Sequence, residues 1–390
     1  METLHTWDTE YSADSVEWCP VQPYHHIFVC GTYQLSQESE LQENSSSSDV
    51  RTGEETVSRK IQKFGRLYLF CIDSSANLVH LQTLETPAIL DTKWCHRKIN
   101  DRVLLGVANA KGDLAVYELS EKHPENGDNA VECHNYKLLL VNKINISDED
   151  DSGVLALSLD WSTGKFDESE PSIIVSDSRG VISLLSLRHS SIQQFRSWKA
   201  HSYEAWITAF NYWNTSVIYS GGDDCKLHAF DLRYDSDSPV MTSKAHEMGV
   251  TSIHCNVVHE NIMISGSYDE KLRVWDTRSM KQPLSVRSLT GGIWRLKWDP
   301  HHWQHVLAAC MHGGFCVINC PSNSDCPNIV TEYKEHSSLA YGSDWCHMEG
   351  TQVRAILGNK VKHKSASNDT YVIATCSFYD HKLCVSILNT

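Results

Sequence analysis

Two stretches of the chain repeat one another at a fixed offset, and that offset restricts the fold more than any other feature. Ser220-Gly221-Gly222-Asp223-Asp224-Cys225-Lys226-Leu227 returns as Ser265-Gly266-Ser267-Tyr268-Asp269-Glu270-Lys271-Leu272, with Asp224 and Asp269 standing 45 residues apart. The upstream Ala-His pairs keep the same spacing, from His201 to His246. The second copy closes on Arg273-Val274-Trp275-Asp276 and the first on His228-Ala229-Phe230-Asp231. A period of about 40–45 residues carrying a histidine and then Trp-Asp is the signature of a four-stranded blade in a WD40 propeller. The expected fold class is all-β, with residues 1–390 forming a single ring of small sheets.

The remaining blades are degenerate, but the innermost strand betrays them. It ends in a large ring and a turn at Val16-Glu17-Trp18-Cys19-Pro20, Thr92-Lys93-Trp94-Cys95-His96, Leu159-Asp160-Trp161-Ser162, Ala209-Phe210-Asn211, Leu296-Lys297-Trp298-Asp299-Pro300 and Ser343-Asp344-Trp345-Cys346. With Ile253-His254-Cys255 these make seven starts, hence a seven-bladed WD40 β-propeller whose rings wedge between blades. The last blade has candidates for three strands, near Ala340–Trp345, Val372–Cys376 and Leu383–Leu388. The N-terminal segment Leu4–Thr9 is expected to supply its outer strand, which would remove the open edges of the ring. Three inserts interrupt the repeat. The Ser-rich segment 36–60 is expected to be disordered and to lie on the binding rim. Segments 120–135 and 348–369 are expected to be loops on the opposite rim. The acidic run Asp148-Glu149-Asp150-Asp151 belongs on the binding rim, as a solvated loop or as a lure for a basic partner.

Charge narrows the partners. With 34 basic and 49 acidic side chains the chain carries −15, which repels a phosphate backbone, so direct nucleic-acid binding is not expected. No apolar run approaches the roughly 18 residues of a membrane span, so the expectation is a soluble, cytoplasmic protein without membrane contact. Most of the fourteen cysteines sit inside apolar runs such as Val29-Cys30-Gly31, as buried free thiols would in a reducing compartment. The run Cys310, His312, Cys316, Cys320, Cys326 is the best metal candidate, but it lacks paired Cys-x-x-Cys knuckles. Neither metal nor cofactor is expected.

The usual catalytic signatures are absent: no Gly-x-Ser-x-Gly elbow, no His-Glu-x-x-His helix and no phosphate loop. Function must therefore be read from the rim. The channel mouth is expected to be lined by the first residues of the inner strands: Asp14, Leu90, Leu157, Trp206, Thr251, Trp294 and Tyr341. The turns between second and third strands add Tyr33, Asp177, Asp223, Tyr268, His312 and Tyr379, with Phe378 beside the last. Rings at Trp206, Trp294, Tyr341, Tyr268, Tyr33, Phe378 and Tyr379 exceed what a structural rim needs and favour recognition over packing between blades. His312 occupies a turn position held elsewhere by Asp224, Asp269 and Asp380. It either replaces their local hydrogen bonds or serves as a general base near neutral pH. Glu204 can orient such a histidine or simply form a rim salt bridge.

Several segments resemble the WD-repeat diphthine methylesterase family of diphthamide biosynthesis. They are residues 88–96 (AILDTKWCH), 155–165 (LALSLDWSTGK), 204–213 (EAWITAFNYW), 266–284 (GSYDEKLRVWDTRSMKQPL), 291–298 (GGIWRLKW), 308–315 (AACMHGGF) and 374–381 (ATCSFYDH). The stretch GSYDEKLRVWDTR is generic to WD repeats, whereas EAWITAFNYW, AACMHGGF and CSFYDH are specific; the inserts do not share the likeness. The resemblance implies removal of a methyl ester from over-methylated diphthine, a modified histidine of translation elongation factor 2, with release of methanol. It implies a whole protein as substrate. No family catalytic residue is carried over. From this chain's own residues, water activated by His312, assisted by Glu204 or Asp14, is the expected hydrolytic device. Trp206, Trp294 and Tyr341 are expected to hold the trimethylammonium of the substrate by cation–π contact. Two other readings stand beside it: a non-catalytic adaptor for the diphthamide amidation machinery, and a ubiquitin-ligase substrate receptor. The latter rests on Trp275-Asp276-Thr277-Arg278, whose arginine can equally brace its own blade.

Overall fold

The computed structural model describes residues 1–36, 62–121, 136–147, 153–166, 170–188, 191–321, 325–358 and 370–389. These form seven four-stranded antiparallel sheets. The first blade runs Ser12–Trp18, Ile27–Leu35, Lys63–Ile72 and Leu78–Pro87. The inner strands of the others are Ile89–Trp94, Ala156–Trp161, Ile207–Phe210, Val250–Cys255, Arg295–Trp298 and Ala340–Trp345. Each inner strand packs on the next, and the seventh packs back on the first, so the sheets close into a circle. The seventh sheet takes its outer strand, Glu2–Asp8, from the other end of the chain, paired from Glu2 opposite Ile387 to Asp8 opposite Lys382.

The wedge rings explain the closure. Trp18, Trp94, Trp161 and Trp345 are fully buried. Four indoles also donate across the seam to the preceding inner strand: Trp94 to the Glu17 carbonyl (3.1 Å), Trp161 to Lys93 (3.0 Å), Trp298 to His254 (3.2 Å) and Trp345 to Lys297 (2.9 Å). Truncating a buried tryptophan of this kind costs about 3–5 kcal/mol. The inner edge of each sheet would otherwise leave backbone N–H groups unpaired. Side chains of the neighbouring blade accept them: Asp91 from Leu159, Asp160 from Phe210, Ser252 from Leu296 and Asp344 from Trp18.

Within blade five the repeat histidine does the work its spacing suggests. Ser265 Oγ receives the Trp275 indole (2.8 Å) and lies 2.9 Å from His246 Nε2, while Asp269 pairs with Arg273 at 2.9 Å. Blade four keeps His201 between Asp224 (2.8 Å) and Ser220 (2.8 Å), with Phe230 in the tryptophan's place. Burial pushes the Asp224 carboxyl up, but its hydrogen bond to His201 wins and holds it below the usual carboxylate range.

The segment 348–369, expected to be a loop, instead contains the helix Gly350–Leu357. Glu349 and Gln352 form a capping box at its start, and Val353 and Leu357 bury against the core shared by blades one and seven. A short amphipathic turn inside a polar insert gave too few periodic positions to be read. The insert 36–60 apart from Ser36, the acidic run 148–151 and nearly all of 120–135 lie outside the described residues. No helix among those described is long and apolar enough to cross a membrane.

Candidate functional site

Inner-strand geometry decides what faces the channel. Five of the seven inner strands carry a register shift near their start, between Ala13 and Ser15, Ile89 and Asp91, Ala156 and Ser158, Val250 and Ser252, and Ala340 and Gly342. The extra residues are Asp14, Leu90, Leu157, Thr251 and Tyr341. A bulge frees its residue from the ladder and re-aims the side chain. In blades four and six the equivalent positions, Trp206 and Trp294, stand one residue ahead of the strand.

The rings expected at the mouth do meet. Trp294 lies 5.7 Å from Trp206, 6.1 Å from Tyr268 and 4.8 Å from Tyr341 between ring centres, and Trp206 lies 6.2 Å from Tyr268. Tyr341 continues to Phe378 (5.0 Å), which touches Tyr379 (5.0 Å) and Tyr33 (6.2 Å). All seven form one connected arc. Six are half-buried, whereas Tyr379 is 71% exposed and marks the outer lip. The Trp206 indole donates to Asp223 at 3.0 Å, which fixes its orientation. The Trp294 indole N–H has no partner.

Asp14 is 4% exposed and close enough for its charge to act on Tyr33, Tyr268 and Tyr341 of this arc. Burial pushes its carboxyl up to about 8, against the pull of Arg295 and with a push from Asp91. Arg295 is itself buried and paired with Asp91 at 3.0 Å. Burial, then the Asp14 charge, makes Tyr33 and Tyr341 harder to ionise; Tyr268 is shifted the same way by burial, Tyr341, Asp223 and, more weakly, Asp14. Asp14 Oδ1 accepts no hydrogen bond. A buried carboxylate oxygen and a buried indole N–H, both unsatisfied beside the same rings, are costly to keep and need an explanation.

The other candidates fare differently. His312 is exposed on its turn, and among the described residues no hydrogen bond, ion pair or ring contact joins it to the arc. Nor does it replace the turn aspartates: Gly313 donates to the Cys310 carbonyl, and Thr290 Oγ1 donates to the Gly313 carbonyl. Glu204 is half-buried next to Tyr268, and its carbonyl accepts the Asp223 N–H at 2.8 Å. Asp177 is buried and bound to Arg179 (2.7 Å). Of the cysteine run, Cys310 and Cys316 approach to 3.8 Å within the core, Cys320 is buried apart, and Cys326 is exposed against the Val286 carbonyl. His201, Asp224 and His228 lie close enough to share an ion, yet both His201 nitrogens are already engaged. Arg278 holds its own Asp276 with two hydrogen bonds (2.9 and 2.6 Å).

A second constellation at the opposite end of the inner strands escaped the sequence reading. The residue before each wedge is Glu17, Lys93, Asp160, Ala209, His254, Lys297 or Asp344. Five of these (Glu17, Lys93, His254, Lys297 and Asp344) line a cavity of about 170 Å³. Lys297 forms ion pairs with Glu17 and, at 3.8 Å, with Asp344. Burial opposes its charge, but Asp344 and Glu17 outweigh it. With two carboxylates sharing one ammonium, burial pushes Asp344 up to about 7. The signal is a charged or polar residue just before most wedge residues, a position that pattern alone assigns simply to a strand end.

Comparison with known proteins gives a consistent lineage. Residues 237–276 match the model of the WD domain, G-beta repeat. A mouse (Mus musculus) protein named diphthine methyltransferase is 42% identical over 356 residues, which span 88% of this chain and 69% of its own. A Dictyostelium discoideum protein named diphthine methyltransferase homolog is 35% identical, spanning 97% of this chain and 96% of its own. Among solved structures, a chain of the crystal structure of the mitotic checkpoint complex matches with a TM-score of 0.64 at 14% identity. That match covers 100% of this chain and 92% of the other, and it speaks for the fold alone.

Proposed function

This chain belongs to the diphthine methyltransferase family of WD-repeat proteins, and we propose that, as an enzyme of diphthamide biosynthesis, it hydrolyses the methyl ester of methylated diphthine on translation elongation factor 2. One observation carries the reading. Asp14 Oδ1 and Trp294 Nε1, an acceptor and a donor without partners, accompany an arc of electron-rich rings. Such rings bind a quaternary ammonium through their negative faces, with about 0.5–2 kcal/mol per contact. The substrate carries that cation next to its ester.

In this mechanism Trp206, Tyr268, Trp294 and Tyr341 seat the trimethylammonium, and its charge favours the ionised form of Asp14. The carboxylate then accepts a proton from water as the water oxygen bonds to the ester carbon. The carbonyl oxygen becomes an oxyanion that takes the hydrogen bond of the Trp294 indole. Collapse breaks the bond to methoxide, and Asp14 returns its proton to that leaving group. Methanol and the carboxylic acid depart, and the acid then ionises. This assignment moves the base from exposed His312 to buried Asp14; Glu204 shapes the field around Tyr268.

The relatives' names describe methyl transfer, and the two chemistries differ in sign. Purified protein incubated with methylated factor should release methanol and lower the factor's mass by one methylene. With a methyl donor supplied in a parallel incubation, a gain of one methylene would replace hydrolysis with transfer. No change with competent substrate would leave the adaptor reading.

A further inference from the structure

We propose that Arg295 and Asp91 form a crossbar through the channel axis, and that Asp91 is a positioning residue which holds the guanidinium off Asp14. The Asp14 carboxylate then stays free to act as a base, a role that rests on the hydrolytic reading above. On each inner strand one residue follows the mouth position: Ser15, Asp91, Ser158, Ile207, Ser252, Arg295 and Gly342. Asp91, Ser158 and Ser252 serve the seam there. They accept the N–H groups of Leu159, Thr208 and Leu296 on the next blade, at 3.1, 2.9 and 2.9 Å. A guanidinium has no acceptor, so Arg295 cannot do this.

Arg295 is instead paired with Asp91 at 3.0 Å, and both side chains are buried. Arg295 belongs to blade six and Asp91 to blade two. Blades six and two are separated by blades seven and one on the shorter way round, as far apart as a ring of seven allows. An ion pair between their inner strands crosses the middle of the channel. It lies one residue along from the mouth and two short of the circle that holds Glu17, Lys297 and Asp344. The Arg295 charge reaches both ends: it favours the ionised form of Asp14 and opposes the charge of Lys297.

The surroundings of Asp14 make this pair decisive. Tyr33, Tyr268, Tyr341 and Cys376, which lies against Cys30, are all pushed up by burial and stay neutral around pH 8. Arg295 and Asp91 are the charges that act on Asp14, the first drawing its proton off and the second holding it on. Because Asp91 supplies the countercharge, the arginine leaves Asp14 Oδ1 without a partner. With Asp91 neutral, a buried guanidinium would turn to the remaining buried carboxylate beside it. A carboxylate bound by arginine is a weaker base.

Carboxyl carbon NMR of the full chain, titrated with pH in the absence of substrate, reads Asp14 directly; its signal is assigned by its loss in Asp14→Asn. The native midpoint is expected at about 8. In Asp91→Asn it should fall by at least about one pH unit, the effect of an arginine newly beside a carboxylate. In Arg295→Met it should rise. A pair that merely braces the fold would move neither midpoint, or both in the same direction. Asp91→Asn keeps an oxygen for the Leu159 N–H, so it carries the test alone should Arg295→Met not fold. The kcat/KM limb of methanol release should follow each midpoint. The proposal is overturned if the Asp14 midpoint in folded Asp91→Asn stays or rises, or if folded Arg295→Met fails to raise it. Midpoints that shift as expected in a protein that releases no methanol would uphold the crossbar and retire the hydrolytic reading instead.

Discussion

The two ends of the channel are built from the same seven strands, yet they solve opposite problems. At one end the bulged or preceding residue of each inner strand gives rings and a single buried acid, Asp14, with no paired countercharge. At the other, the residue before each wedge gives a charged circle in which Lys297 is held between two carboxylates. Rings tolerate being half-dry, so the first end can leave an acceptor and a donor open for a substrate. Buried charges cannot, so the second end sets its ions against each other, Lys297 between Glu17 and Asp344 and Lys93 toward Asp160. The lesson concerns spacing. Residues three apart in a regular strand point to opposite faces; here the bulge resets the alternation, and both positions serve the channel.

The largest effect should separate the ends by activity. Asp14→Asn is expected to lower kcat about 10²–10⁴-fold, the range of a lost general base, in the methanol assay. The same change should raise stability above pH 7. Between the ordinary carboxylate range and about 8 the folded protein keeps a proton on Asp14 that the unfolded chain has released, so native stability falls as pH rises through that window. Urea titrations should show this slope in the native chain and its loss in Asp14→Asn. For the same reason kcat/KM should rise through a limb near 8, with the kcat limb displaced to lower pH by the bound cation.

At the charged end, Lys297→Met should act on stability. Removing one partner strands Glu17 and Asp344 together, at a cost of about 3–5 kcal/mol, measured by urea unfolding at pH 8. The deficit should shrink toward pH 5, because protonating the two carboxylates removes their repulsion. A variant as stable as the native chain at pH 8 would show that the ion circle is solvated.

Smaller changes sharpen the aromatic end. Trp294→Phe keeps the ring and deletes the N–H; kcat should fall about tenfold or more with KM little changed, as for a lost oxyanion donor. Trp206→Ala should mainly raise KM, by about three- to thirtyfold. If both variants move KM alone, Trp294 holds the cation and does nothing for the oxyanion. His312→Ala is expected to change kcat by less than about twofold, since the exposed side chain has no contact with the arc; a loss comparable to that of Asp14→Asn would restore it as the base.

Much of the architecture was legible because propeller blades are local. The 45-residue repeat and the wedge rings at Trp18, Trp94, Trp161, Trp298 and Trp345 follow from short-range pattern, and the strand deficit of the last blade points to Leu4–Thr9, found as Glu2–Asp8. The helix Gly350–Leu357 was not legible, since its two buried positions become apolar anchors only when blades one and seven supply a surface. The mouth rings could be listed from the sequence, and they adjoin one another in the structure, because each begins an inner strand or lies in its adjoining turn. His312 and Asp14 could not be ranked against each other: both are polar residues at rim positions, and the sequence holds no record of solvent access.

What the sequence determined by itself was the ring, since hydrophobic period and turn chemistry act over a few residues and repeat. What only the tertiary structure decided was which polar groups lose water. Burial of Asp14 and of the Lys297 ion pairs arises from blades far apart in the chain converging on one axis. Desolvation depends on that convergence rather than on any neighbour in sequence.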